Sequence, residues 1–126
     1  MHRSKLSTFV IDCRSEDVGA AAEFWSQALG CPVVTPPPGD DGRYRALETR
    51  APEPLLLVQR VDHESRVHLD IETDDIDAEV ARLEALGAKR LEKVRTFWVM
   101  QAPTGQKFCV VRPQRGAMAE DANEWP

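Results

Sequence analysis

Val67-His68-Leu69-Asp70-Ile71 is followed by an acidic turn, a helical pattern and Ala85-Leu86-Gly87. The same order occurs earlier, where Phe9-Val10-Ile11-Asp12-Cys13 leads through an acidic turn and a helical pattern to Ala28-Leu29-Gly30. The aspartates of the two copies are 58 residues apart and the Ala-Leu-Gly triplets 57 apart, so one gap aligns both ends. Because internal repeats decide architecture, the sequence predicts a pseudo-symmetric fold made from two copies of one unit.

Each copy reads as one strand, one helix and three further strands. The first helix can begin at a Ser15 cap and end at Gly30, and the second can begin at an Asp74 cap and end at Gly87. Runs of β-branched and apolar residues between turn signals predict the strands. These strands cover residues 6–13, 31–35, 43–49 and 54–61 in the first copy, and residues 66–73, 88–94, 96–102 and 107–112 in the second.

The predicted fold class is α+β. Each βαβββ unit is too small to bury its sheet face alone, but two units side by side can curl a mixed sheet into a half-barrel with a cleft. We expect one domain over residues 1–112, with repeat one over 6–61 and repeat two over 66–112. We expect residues 113–126 to form a polar, irregular tail, and His2 to lie in a disordered start.

Composition and charge argue against several classes of protein. The chain has 126 residues, is 42% apolar and 29% charged, and carries a net charge of −5 without a concentrated basic cluster, which argues against a nucleic-acid partner. Its three cysteines are an odd number without CxxC spacing, so we expect neither a disulfide framework nor a zinc ribbon. No apolar run approaches the roughly 18 residues of a membrane span, and no signal peptide is evident. We therefore expect a cytoplasmic protein that does not enter a membrane.

Several short segments follow one another in a characteristic order: Val10-Ile11-Asp12-Cys13, Phe24-Trp25, Leu29-Gly30, Leu57-Val58-Gln59-Arg60-Val61, His68-Leu69-Asp70, Asp74-Asp75-Ile76-Asp77-Ala78-Glu79-Val80, Leu86-Gly87-Ala88 and Pro103-Thr104-Gly105-Gln106-Lys107-Phe108. This order resembles the vicinal oxygen chelate superfamily, which includes glyoxalase I, bleomycin-resistance proteins and extradiol dioxygenases. The resemblance covers about residues 6–112 and is closest to small bacterial glyoxalase-like domains. It implies a cleft that holds a small organic molecule, and a homodimer.

The resemblance also implies a divalent metal in some members, held by His and Glu side chains from the first strand and a late strand of each unit. One of these positions falls on His68, which is the expected residue type. Its counterpart falls on Val10 or Thr8. The late positions fall near Gln59 or on Leu57 in the first unit, and on Cys109 in the second. Since a catalytic divalent ion needs about three or four good protein donors, we expect no intact metal site of this kind. A divalent cofactor stays the alternative, with His68 as its candidate ligand.

Strand alternation groups the candidate catalytic residues. If His68 points into the cleft, Asp70 and Glu72 point the same way, and the repeat matches Asp12 with Asp70. A histidine beside aspartates in an apolar cleft could act as a general acid and base near neutral pH. The two aspartates could instead tie down strand ends or cap nearby turns.

Other side chains are candidates for ligand binding. Gln59 could orient a ligand or bond to the backbone at the rim, and Cys109 could be a reactive thiol or a small buried apolar residue. Trp98 and Met100 share one face of a predicted strand and could floor a ligand pocket. Arg45 could reach an anionic ligand or lie in solvent.

Three functions fit these patterns. The leading one is a protein that binds a small organic molecule without an intact metal site. The second is an enzyme of the same superfamily, a lyase, isomerase or dioxygenase, either metal-dependent or using His68 with the aspartates for acid–base chemistry. The third is an accessory domain that acts through protein contacts. The sequence specifies no ligand or substrate.

Overall fold

The computed structural model describes residues 1–50, 53–118 and 120–126, and these contain eight strands and two helices. The predicted α+β class is confirmed. The chain divides into an early unit, Thr8–Val67, and a late unit, His68–Pro126 together with Met1–Ser7. In chain order the elements are β1 (His2–Arg14), α1 (Val18–Leu29), β2 (Tyr44–Leu47), β3 (Leu55–Val61), β4 (Arg66–Thr73), α2 (Ile76–Ala85), β5 (Lys89–Val94), β6 (Phe97–Gln101), β7 (Lys107–Val111) and β8 (Asn123–Trp125).

Helix α1 begins two residues later than the sequence predicts. Asp17 has extended backbone angles, and its carboxylate accepts a hydrogen bond from the N–H of Ala20 at 3.0 Å. Because this contact satisfies an N–H that has no partner inside the helix, Asp17 is the N-cap. Ser15 instead accepts a hydrogen bond from the N–H of Asp17 and shapes the turn before the cap. Gly30 ends the helix as predicted, at a φ of 70° that favours glycine.

In the early unit, β3 lies between β1, which runs parallel to it, and β2, which runs antiparallel. The predicted strand over residues 31–35 is reduced to a single bridge between Val33 and Leu47. Pro32 and Pro36 flank this bridge, and the missing N–H of proline limits a longer ladder. Helix α1 packs on β2 and β3. The buried core beneath it consists of Val18, Ala22, Leu47 and Val58.

In the late unit, α2 packs on a sheet in which β4 and β7 are parallel, while β6 is antiparallel to both β7 and β5. Asp75 caps α2, because its carboxylate accepts a hydrogen bond from the N–H of Ala78 at 3.1 Å. The predicted cap, Asp74, instead accepts one from the backbone N–H of Arg3 at 2.8 Å. The buried core beneath α2 consists of Val80, Leu83, Met100 and Val110.

The internal repeat is visible in the pairing of strands. In the early unit, Asp12 of β1 lies opposite Gln59 of β3, and in the late unit Asp70 of β4 lies opposite Cys109 of β7. Each pair joins the first strand of a copy in parallel to its last strand. The sequence alignment that matched Asp12 with Asp70 therefore identifies equivalent positions in the two units.

The end of the chain is more ordered than the sequence predicts. Residues Asn123–Trp125 form β8, which pairs antiparallel with His2–Ser4 at the start of β1. The indole N–H of Trp125 donates a hydrogen bond to Ser4 Oγ at 2.8 Å, and the Arg82 guanidinium lies 3.8 Å from the centroid of the indole ring. The expectation of an irregular tail is corrected at these residues, because a three-residue strand is too short to show an alternating pattern.

A buried carboxylate, Glu79 of α2, joins the helix to the start of the chain. Its side chain is 0% exposed, its Oε1 lies 2.8 Å from His2 Nε2, and Arg82 donates two hydrogen bonds to it at 2.8 Å. The expectation that His2 is disordered is therefore wrong, since His2 is 6% exposed and held by this contact. Burial raises the pKa of Glu79, but hydrogen bonds from Arg82, His2 and Ser4 outweigh burial and leave the pKa below its ordinary value.

We expect Glu79→Gln to lower the free energy of unfolding by about 2 to 3 kcal/mol at neutral pH, because the buried contacts to Arg82 lose their negative charge. A carboxylate whose pKa is lowered by folding stabilises the protein above its unfolded value, near 4.5, and loses that contribution as pH falls through the folded value. The difference between E79Q and wild type should therefore shrink in acid. Urea unfolding followed by circular dichroism at several pH values measures both effects.

Glu84→Gln is the matched control, because Glu84 lies on the same helix and pairs with Arg90 at 2.8 Å. Both of those side chains are about two-fifths exposed, at 38% and 41%. An exposed pair contributes little to stability, so E84Q should unfold nearly as wild type does. Equal losses in the two variants would contradict the structural importance of Glu79.

Candidate functional site

Core packing beneath α2 determines which way the residues of the late sheet point. Ile71 of β4 and Val110 of β7 pack in the cluster beneath the helix. Because neighbouring side chains along a strand point to opposite faces, His68 and Asp70 of β4 and Cys109 of β7 point away from α2. We call this side of the late sheet, defined by His68, Asp70 and Cys109, the polar face.

The three side chains of the polar face lie close together. His68 Nε2 and Asp70 Oδ1 are 3.4 Å apart, and the two side chains are only 14% and 15% exposed. The possible ligand atoms of His68, Asp70 and Cys109 all lie within 4.8 Å of one another. Across residues 1–50, 53–118 and 120–126, this is the one group of three or more His, Cys, Asp and Glu side chains close enough to share an ion.

The carboxylates of Asp70 and Glu72, two residues apart on β4, are held differently. Asp70 Oδ1 is buried, and within the part of the chain that the structure describes it makes no hydrogen bond. Glu72 Oε2, by contrast, accepts a hydrogen bond from the backbone N–H of Gln114 at 3.0 Å, which ties the segment after β7 to the sheet. Glu72 therefore has a structural role, while Asp70 remains able to bind a further atom.

The structure does not place Trp98 and Met100 on the polar face. Both lie on β6 in the cluster beneath α2, and Met100 is fully buried. Val99 lies between them and pairs with Cys109, so the pleat turns Val99 to the polar face and its two neighbours to the helix. This corrects the expectation that Trp98 and Met100 floor a ligand pocket, because they belong to the core.

The early unit contains Asp12 and Gln59, the other two residues at repeat-equivalent positions. Asp12 is buried, and its Oδ2 lies 3.7 Å from Arg66 Nε, a contact that fits the structural alternative of tying down a strand end. Gln59 donates a hydrogen bond to Tyr44 Oη at 3.1 Å. No local pattern of residues indicates a functional role for Tyr44. Only the antiparallel register of β2 and β3, which places Tyr44 opposite Gln59, reveals it.

Arg45 forms an ion pair with an aspartate that lies just before β2. Its Nη1 lies 2.7 Å from Asp40 Oδ2, and the two side chains are 20% and 22% exposed. The backbone N–H of Gly42 and then Arg45 hold the pKa of the Asp40 carboxyl below its ordinary value. That Arg45 reaches an anionic ligand stays a prediction, and in this structure its charge is paired with Asp40.

Two units, each led by a strand and a helix and each pairing its first strand in parallel with its last, define the architecture of glyoxalase and bleomycin-resistance proteins. The family model described as a glyoxalase-like domain matches residues 8–111. The chain belongs to this family, and thereby to the superfamily that its sequence resembles.

Solved structures support the same fold. A hypothetical protein from Bacillus halodurans C-125 has a TM-score of 0.61 at 11% identity, over 92% of this chain and 99% of that one. A Mn(II)-bound glyoxalase from Novosphingobium aromaticivorans has a TM-score of 0.59 at 18% identity, and the match covers 95% of this chain but only 44% of that one. A methylmalonyl-CoA epimerase has a TM-score of 0.56 at 13% identity, over 86% of this chain and 95% of that one. No curated protein matches the sequence.

Neither of the helices that the structure describes is long and apolar enough to cross a membrane.

The residues do not fit the His and Glu metal site that the superfamily implies. His68 is suitable, but its counterpart positions carry Thr8 and Val10, a hydroxyl and a hydrocarbon that are both buried. Cys109 lies where a Glu is expected, and the amide of Gln59 is bonded to a tyrosine hydroxyl. A hard divalent ion favours oxygen donors, and this set offers too few of them.

We expect Asp70→Asn to leave the free energy of unfolding unchanged or slightly raised, because it removes a largely buried charge whose Oδ1 accepts no hydrogen bond among the described residues. Glu72→Gln should lower it by about 1 kcal/mol, because a charge-assisted hydrogen bond to Gln114 becomes a neutral one. Chemical denaturation of both variants provides the comparison. A loss in D70N as large as that in E72Q would mean that Asp70 is structural.

Proposed function

We propose that this chain is a glyoxalase/bleomycin-resistance-like protein that binds a small organic molecule against the polar face of its late unit, without the intact metal site of the superfamily. The observation that carries the proposal is the His68–Asp70 pair, which is largely buried, 3.4 Å apart and turned away from the helix-side core. Family membership supports a small-molecule ligand. His68 and Asp70 would hydrogen-bond its polar groups, and Cys109 would add a soft contact.

Binding can be mapped on ¹⁵N-labelled, metal-free protein with amide correlation spectra recorded against a library of small polar fragments. We expect the shifted amides to cluster in residues 68–72 and 107–111, because these segments carry the polar face. Fragments that shift only residues 29–32 and 48–50, which line a separate depression in the early unit, would contradict the proposal. The absence of any bound fragment would contradict it as well. The ¹⁵N relaxation rates of the same samples report how fast the protein tumbles, and so test the homodimer that the resemblance implies.

His68→Ala and His63→Ala form a matched pair of variants for the fragments that bind. We expect H68A to raise the dissociation constant at least tenfold, the effect of losing about 1.4 kcal/mol of contact. H63A should leave it unchanged, because His63 is exposed and its Nδ1 contacts the backbone oxygen of Glu64. Equal weakening in both variants would exclude a specific role for His68.

The same pair of side chains supports a second candidate function, which is proton transfer by a metal-free enzyme of the superfamily. A carboxylate close to an imidazole orients the ring and stabilises its protonated form. His68 could then remove a proton from a carbon next to a carbonyl group and return it, as a lyase or isomerase requires.

Exchange in deuterated water distinguishes catalysis from binding. If the protein is an enzyme of this kind, a bound fragment with a carbonyl group should exchange its neighbouring C–H for deuterium in the presence of wild type and of H63A. His68→Ala should abolish the exchange, and Asp70→Asn should slow it, with the fold retained by circular dichroism. Bound fragments that never exchange would leave binding as the function and contradict catalysis of this type.

A further inference from the structure

We propose that His68, Asp70 and Cys109 together bind one thiophilic divalent cation of the Zn²⁺ class, within the late unit alone. The ion that the superfamily implies draws His and Glu ligands from both units. The site proposed here shares the positions of His68 and Cys109 with it, but has a thiolate in place of Glu and takes its third ligand from Asp70 of the same unit. The proposed site uses one imidazole, one carboxylate and one thiolate from two neighbouring strands, β4 and β7. It goes beyond the proposed function and does not require a bound organic ligand.

The spacing of the first two donors fits a tetrahedral ion. Nitrogen and oxygen ligands about 2.0 to 2.2 Å from Zn²⁺ are about 3.4 Å from each other at the tetrahedral angle. His68 Nε2 and Asp70 Oδ1 are 3.4 Å apart. Because these residues are two apart on one strand, the pleat itself places both side chains on the same face.

The third donor is positioned by the register of the sheet. Cys109 lies directly opposite Asp70 in the parallel pair of β4 and β7. Its sulfur lies within 4.8 Å of one possible ligand atom of His68 and one of Asp70, and a sulfur ligand of a tetrahedral Zn²⁺ lies about 3.6 Å from a nitrogen or oxygen ligand. A rotation about the Cα–Cβ bond of Cys109 changes this separation without moving the strands.

An independent observation points to a missing partner at Asp70. Its Oδ1 is buried, yet among the described residues it makes no hydrogen bond. A buried carboxylate oxygen without a hydrogen bond costs about 1 to 3 kcal/mol, and native proteins leave few such atoms. A cation between Asp70, His68 and Cys109 would supply that partner.

The chemistry of the donors selects the class of ion. Thiolate and imidazole favour Zn²⁺ over hard ions such as Mg²⁺ or Mn²⁺, which favour oxygen ligands. Binding would release the thiol proton of Cys109 to solvent, so affinity should fall as pH is lowered. Three protein ligands leave one position of a tetrahedral ion for water or a ligand.

Cobalt titration of the chelator-stripped protein, kept reduced with a phosphine, tests the site by spectroscopy. We expect one Co²⁺ per chain, with a thiolate-to-cobalt charge-transfer band and the visible bands of a tetrahedral ion. Added Zn²⁺ should displace Co²⁺ and abolish both. Saturation with Co²⁺ without a charge-transfer band, or no binding of either ion, would overturn the proposal.

Cysteine variants assign the sulfur ligand. Cys109→Ser should remove the charge-transfer band and weaken Zn²⁺ binding at least tenfold. Cys31→Ser and Cys13→Ser are matched controls that should keep the band and the affinity. Cys31 is free and lies at the end of α1, while burial raises the pKa of the Cys13 thiol. A band that survives C109S, or is lost in C31S, would overturn the proposal.

His68→Gln and Asp70→Asn test the other two ligands. Each should weaken Zn²⁺ binding at least tenfold while leaving the far-ultraviolet circular dichroism of wild type. Should C109S or H68Q lose the fold, Cys109→Ala and His68→Asn replace them in the same titration. Unchanged affinity in D70N would overturn the three-ligand site. The fragment mapping uses metal-free protein, so failure of the metal site and failure of the proposed function can be told apart.

Discussion

The alternation of side chains along β4 and β7 is the constraint on which the late unit depends. Helix α2 must bury the apolar residues Ile71 and Val110, and the pleat then turns His68, Asp70 and Cys109 to the opposite side. A slip of one residue in either strand would place a charged or thiol group beneath the helix and expose the core. The same packing that stabilises the fold therefore assembles the candidate site.

The position of α2 depends in turn on both ends of the chain. Glu79 accepts hydrogen bonds from the helix and the N-terminal strand, and β8 returns to pair with that strand. Arg82 contributes to both contacts, since it pairs with Glu79 and lies over the Trp125 ring. Removing one partner of a buried ion pair is strongly destabilising. This cluster therefore holds α2 against the sheet whose opposite side carries the polar face.

The sequence predicted the class, the repeat and most of the strands because these rest on periodic patterns. It placed His68 and Asp70 on one face for the same reason. The pattern of β6 does not show which of its faces meets the helix. It therefore predicts a ligand-lining role for Trp98 and Met100, although Met100 is buried beneath α2 and Trp98 packs against the same cluster. The N-cap residues differ from the predicted ones because each helix start contains several acidic residues that can cap it. At α2, Asp74 accepts a hydrogen bond from Arg3, and Asp75 caps the helix instead.

We infer above all that His68, Asp70 and Cys109 of the polar face converge to bind one metal ion. Anomalous diffraction at the zinc edge, from crystals soaked in Zn²⁺, would test this claim most directly. We predict one strong peak within about 2.5 Å of His68 Nε2, Asp70 Oδ1 and Cys109 Sγ. A well-ordered polar face without a peak, or a peak at other side chains alone, would contradict the claim that these three residues converge on a metal.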